Sequence, residues 1–96
     1  MRIGRVVVSG PSMVPTLRDG DFLIVRRGVA VRPGDVVVAR FRERPGLLVI
    51  KRAVEERDGG WLLSSDNLFA PGPTGVADVE ATAVARYWPL PPRRLS

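Results

Sequence analysis

Ten glycines and nine prolines punctuate a chain of 96 residues, and that punctuation leaves no room for a long helix. Proline removes a backbone donor and glycine loosens the chain, so both interrupt helices and mark turns. No long stretch free of them shows the three-to-four spacing of an amphipathic helix. The segments between are short and rich in branched and aromatic residues, which reads as strands. Residues 5–8 form a first candidate. The turn Asp19-Gly20 opens Asp21-Phe22-Leu23-Ile24-Val25-Arg26, and the close pair Asp19 and Asp21 belongs to that turn. Arg32-Pro33-Gly34-Asp35 opens a third strand over 36–41, and Arg44-Pro45-Gly46 reverses it into a hairpin partner over 47–54. Asp58-Gly59-Gly60 reverses the chain again into 61–64. Ala70-Pro71-Gly72-Pro73-Thr74-Gly75 reads as a loop, and a last strand covers 81–88 before Pro89, Pro91 and Pro92 end regular structure. At most one helical turn is expected, beginning near Pro15 or between Val76 and Ala81. The expectation is an all-β domain over 1–90, with a flexible basic tail over 91–96. It should be a compact, twisted antiparallel sheet or partly open barrel, because an open sheet this small leaves edges and a face exposed.

Composition excludes several kinds of chemistry. The chain has no cysteine and no histidine, so it forms no disulfide, offers no thiolate and holds no zinc cluster. No metal or other cofactor is expected. A cysteine-free domain suits the cytoplasm or a membrane face where disulfides are not needed. The apolar run Val6-Val7-Val8 is too short for a secretory signal, and nothing approaches the roughly 20 apolar residues that span a bilayer. The formal net charge of +5 is compatible with attraction to nucleic acid or anionic lipid. Arginines spread over many strands ordinarily just solvate a surface, so no nucleic-acid partner is expected, while peripheral membrane contact stays open.

Of the fifteen cationic side chains, fourteen are arginine and one, Lys51, is lysine. It sits in the apolar run Leu47-Leu48-Val49-Ile50-Lys51-Arg52-Ala53-Val54. Arginine cannot release its proton in a protein, whereas a buried lysine can become a neutral amine and act as a base. Strand alternation puts Val49, Lys51 and Ala53 on one face and Ile50, Arg52 and Val54 on the other. Both faces are mainly apolar, which would desolvate the ammonium and lower its pKa. The bland alternative is a lysine whose stem lies along the sheet with its charge in water. Arg52 reads as an ordinary surface charge. In Ser9-Gly10-Pro11-Ser12-Met13-Val14-Pro15-Thr16-Leu17, Ser12 is the matching nucleophile candidate. A serine among glycine and proline is ordinarily just a turn residue. Here Gly10 allows close backbone approach, Pro11 and Pro15 stiffen both sides, and Met13 either anchors the loop or lines a pocket. The Ser12 N–H is available to a developing oxyanion.

These segments resemble a known family in order. Ser9-Gly10-Pro11-Ser12-Met13-Val14-Pro15-Thr16-Leu17 is similar to the nucleophile box of the type I signal peptidases, and Asp19-Gly20-Asp21-Phe22-Leu23-Ile24-Val25 to the strand after it. Arg32-Pro33-Gly34-Asp35-Val36-Val37-Val38, Ile50-Lys51-Arg52-Ala53-Val54 and Ser65-Asp66-Asn67 resemble the boxes that follow. The resemblance implies an all-β fold of the signal peptidase and SOS-repressor protease type. It implies a serine endopeptidase with Ser12 as nucleophile and Lys51 as general base. Gly10, Pro11 and Met13 would position substrate or oxyanion, and Asp66 and Asn67 would support the site. The substrate would be a protein precursor bound as an extended peptide.

With Ser12 this near the start, the expectation is that the family's membrane anchor is missing. The short form and the ending Ala85-Arg86-Tyr87-Trp88-Pro89 look most like the nickel-type superoxide dismutase maturation proteases of bacteria. That likeness implies removal of a short N-terminal extension, with nickel belonging to the substrate. Two departures stand out: Gly10 occupies a position where some members supply a hydroxyl, and the Ser-x-Asp-Ser-Arg stretch that usually follows Asn67 to support the lysine is absent. A self-cleaving domain of SOS-repressor type shares the Ser-Met and Lys-Arg pairs but not Pro15-Thr16-Leu17 or Asp66-Asn67. A non-catalytic basic barrel that binds nucleic acid or membrane is the alternative of another class.

Overall fold

The structure, a computed structural model, describes residues 2–70 and 75–95. Residues 71–74 of the expected loop lie outside the described residues. Among the described residues there are seven strands and no helix: β1 (Arg2–Val7), β2 (Phe22–Arg27), β3 (Val36–Phe41), β4 (Leu48–Arg57), β5 (Gly60–Ser64), β6 (Val76–Trp88) and β7 (Arg93–Arg94). All pairings are antiparallel, in the order β1-β2-β6-β3-β4-β5, with β5 also pairing β6. That extra pairing closes β3, β4, β5 and β6 into a ring and leaves β1 and β2 as a flap extending from β6. The fold is the all-β, curled antiparallel sheet expected from the sequence.

The position of β3 explains the layout. Val36 and Val38 point into one hydrophobic cluster with Val8, Met13, Leu17, Leu23, Val25, Ala81 and Ala83. Val37, Ala39 and Phe41 point into the other, with Ala53, Trp61 and Ala77, inside the ring. A strand covered on both faces reads as a continuous apolar run, as Val36-Val37-Val38-Ala39 does. β6 serves both clusters because it is long and irregular. Its first half pairs β3 and β5, its second half pairs β2, and register shifts near Ala81, Ala83 and Trp88 let it curl.

The strand bounds differ from expectation at two places. Val76–Ala81 contains no helical turn; it begins β6, where Asp78 and Glu80 meet Arg42 and Arg40 on β3 and just beyond it. The helical turn near Pro15 exists as a single closure, Leu17 N–H donating to the Met13 carbonyl at 2.9 Å. The segment read as a loose tail returns along the sheet. Arg93 and Arg94 pair Arg86 and Ala85, Leu95 N–H donates to the Val84 carbonyl, and the Leu95 side chain packs on the first cluster. No helix among the described residues is long and apolar enough to cross a membrane.

The ring closes tightly at Gly60, which follows the Asp58-Gly59 turn. A Cβ there would stand 2.5 Å from the Ala77 carbonyl oxygen and 2.7 Å from Val76 Cγ1. Backbone cannot yield as a side-chain tip can, so β5 and β6 would have to part. Overpacking of this kind costs about 1–3 kcal/mol, and Gly60→Ala should lower the melting temperature by roughly 10 °C in a thermal denaturation followed by circular dichroism.

Candidate active site

The long connection between β1 and β2 carries Ser12, and hydrogen bonds hold it at several points. Val8 N–H donates to the Asp21 carbonyl, and Gly20 N–H to the Val8 carbonyl, each at 2.8 Å, which pinches the base of the loop. Gly10, at a φ of 84° that favours glycine, donates its N–H to Asp19 Oδ1 at 2.8 Å. Met13 and Leu17 plug the first cluster, at 1% and 0% exposure. Met13 is therefore the anchor of the loop and not the lining of a pocket. Asn67 grips the other side: its N–H donates to the Ser12 carbonyl at 2.9 Å and its Nδ2 to the Pro11 carbonyl at 3.0 Å.

Asp66 joins this loop to β4. It accepts from Thr16 Oγ1 at 2.5 Å and pairs with Arg52, Nη2 to Oδ2 at 2.5 Å. Arg52 also donates from Nη1 to the Gly34 carbonyl at 2.9 Å. Arg52 is thus a half-buried structural cation, not the free surface charge its sequence position suggested. The Arg52 guanidinium, with Thr16, holds the Asp66 carboxyl below the usual carboxylate range. Arg93 reaches the Thr16 carbonyl from β7, so the returning chain end braces the same loop.

Lys51 lies in β4 opposite Val37 of β3, on the ring-facing side with Val49 and Ala53. It is 6% exposed, and burial lowers its pKa from the ordinary lysine value. Its Nζ donates to Ser65 Oγ at 2.7 Å. Ser12 and Lys51 line one cleft of about 300 Å3, walled by Val6, Val7 and Val8 of β1 and its extension and by Leu48, Val49 and Ile50 of β4. The structure therefore brings the two sequence-selected residues to one cavity, while the recorded hydrogen bond of the amine goes to Ser65. Pro11 and Gly10 stand beside the cleft in the chain. Asp66 and Asn67 are bonded to the loop that carries Ser12.

The Peptidase S24-like family matches residues 3–86, a span that holds Ser12, Lys51, Ser65, the whole of β2 to β5 and most of β1 and β6. The chain belongs to this family. The chain is also similar to mitochondrial inner membrane protease subunit 1 of Xenopus tropicalis, 39% identical over 57 residues. The matched region is 54% of this chain and 34% of that protein, so the chain spans about a third of the relative's length.

Within this Peptidase S24-like chain, Ser65 is the site residue that sequence reasoning passed over. It was grouped with Asp66 and Asn67 but given no role. The cue lies in the β4–β5 hairpin. Counting back from the turn, Arg57 pairs Gly60, Glu56 pairs Trp61 and Glu55 pairs Leu62. An unbroken ladder would set Asp66 opposite Lys51. A register shift between Ala53 and Glu55 leaves Val54 unpaired, so Ala53 pairs Leu63, Arg52 pairs Ser64, and Ser65 falls to Lys51.

Two stability predictions follow from these groups. The depressed Asp66 carboxyl stabilises the fold above its unfolded value near 3.8 and loses that contribution as pH falls through the folded value. Asp66→Asn should cost about 2 kcal/mol in urea unfolding at neutral pH, and the difference from wild type should shrink in acid. Lys51 has the opposite sign of dependence. Its folded pKa lies below the unfolded 10.5, so its penalty is full below the folded value and vanishes above 10.5. Lys51→Met should be no less stable than wild type at neutral pH and should remove part of the alkaline gain in stability, as read from urea midpoints across pH.

Proposed function

We propose that the chain is a serine endopeptidase working through a Ser12–Lys51 dyad. The observation that carries this reading is the shared cleft, in which the one lysine of the chain is buried, has a lowered pKa and is held by a neutral hydroxyl. Ser12 Oγ attacks the scissile carbonyl while neutral Lys51 takes its proton. The Ser12 N–H stabilises the oxyanion, and Lys51 returns the proton to the leaving amine. Water then attacks the acyl-enzyme with Lys51 again as base. Ser65 is the positioning residue for the amine, in place of the absent Ser-x-Asp-Ser-Arg stretch. An extended peptide enters beside β1, whose outer edge pairs with no strand among the described residues, and adds to the sheet as a strand along Val6 to Val8. Small apolar side chains suit walls made of Val6, Val8 and Ile50, not of Met13 as sequence reading suggested.

The narrower reading is that the substrate is a protein precursor whose N-terminal extension is removed, specifically a nickel-type superoxide dismutase. It rests on the resemblance of the chain's ordered motifs and of its ending through Trp88. Such an enzyme would work in the cytoplasm or at a membrane face. Incubating wild type and Ser12→Ala with a nickel superoxide dismutase precursor should yield a shortened product by mass spectrometry only with wild type. Ser12→Ala should lose at least about a thousandfold in turnover with an unchanged circular dichroism spectrum. An unchanged cleavage rate would remove Ser12 from the mechanism.

The base makes a separate prediction. Activity should rise with pH through the lowered pKa of Lys51. Ser65→Asp would set a carboxylate against the amine, favour the ammonium and displace that rise by about 1 pH unit or more toward alkali. Ser65→Ala should lower kcat without that displacement. Equal pH profiles for Ser65→Asp and wild type would argue against Lys51 as the base.

A further inference from the structure

Lys51 borders a second cleft that takes no part in the scheme above. Its volume is about 270 Å3, and it is lined by Phe41, Leu63, Ser64, Ser65, Asn67, Leu68 and Ala70 together with Lys51. Apart from Lys51, it shares no lining residue with the cleft that holds Ser12. Lys51 is thus common to the lining of both cavities. In the dyad scheme the departing nitrogen collects its proton from Lys51, which makes the other cavity lined by Lys51 the candidate place for the chain beyond that nitrogen. Leu68 stands at this cleft 91% exposed. It is held in place, not trailing: Phe69 N–H donates to Asn67 Oδ1 at 2.9 Å and Ala70 N–H to the Asn67 carbonyl at 3.2 Å. Asn67 itself is bonded to Pro11 and Ser12, so the turn that presents Leu68 is tied to the nucleophile loop.

We propose that this second cleft is the subsite for the first residue on the leaving side of the scissile bond, and that it selects an uncharged, preferably apolar, side chain. The proposal rests on the Ser12–Lys51 peptidase reading. Two physical arguments set the preference. Phe41, Leu63 and Leu68 offer apolar contact, and a bound side chain would cover part of the exposed Leu68. An acidic side chain here would stand beside Lys51 and favour its ammonium form, which cannot take the serine proton. The lining provides no carboxylate to pair a basic side chain, so a cation is also disfavoured.

The test uses the intact chain and three peptides with one acyl-side sequence, carrying Leu, Asp or Lys just after the cut. An activated ester of the same acyl part serves as a substrate with no leaving-side residue. Hydrolysis of the ester together with kcat/KM at least tenfold higher for Leu than for Asp or Lys is the expected result. Ester hydrolysis with all three peptides within threefold overturns the subsite while leaving the peptidase reading intact. Turnover of neither ester nor peptide overturns both. In Leu68→Asp, the Leu-to-Lys selectivity ratio should fall at least fivefold, whereas Leu90→Asp, at a remote and exposed position, should leave the ratio unchanged. An unaltered ratio in Leu68→Asp would also overturn the proposal.

Discussion

A single unpaired residue in one hairpin governs the chemistry available to this site. The ladder between β4 and β5 slips at Val54, and that slip sets the neutral Ser65 hydroxyl, not the Asp66 carboxylate, against Lys51. The electrostatic consequence is large. A carboxylate in contact with a half-desolvated amine favours its charged form, whereas a hydroxyl leaves burial as the dominant influence and lets the pKa fall. The displaced carboxylate is not idle. One residue along, Asp66 meets Arg52 and Thr16, where a charge-assisted pair ties the Ser12 loop to the strand that carries Lys51. The partner of the amine and the position of the loop thus depend on the same register.

The two hydrophobic clusters make that arrangement rigid. β3 sits between them, and each of its faces is buried by a different set of residues. The first cluster seats Met13 and Leu17, and so seats the loop of Ser12. The second fills the ring whose wall carries Lys51. Ser12 and Lys51 are thus each anchored in a separate packed core, with β3 as the common wall. The returning end of the chain adds a brace, since Arg93 reaches Thr16 and Leu95 packs on the first cluster.

Particular elements show how far local pattern reaches. Strand β3 was legible to the residue, because a continuous branched run between two turns has few other uses. The first half of β6 was not legible. Val76-Ala77-Asp78-Val79-Glu80-Ala81 mixes residues of weak strand preference, and it is extended because Arg40 and Arg42 supply partners for Glu80 and Asp78 from across the sheet. Arg52 was misjudged for the same reason, since its partner lies 14 positions away. β7 was missed because two arginines after a proline run carry no strand signal, and only the edge of β6 gives them one.

By itself the sequence determined the class of fold, through the spacing of glycine and proline, and the identity of the candidate nucleophile and base. A lone lysine in an apolar strand and a serine stiffened by prolines are local facts of composition and covalent geometry. Tertiary structure alone decided which group the lysine meets, where the loop is anchored and that Lys51 lines two clefts. Those outcomes turn on a one-residue register shift and on contacts between distant strands. Such contacts gain their energy only when the ring closes, so no local window of the chain contains them.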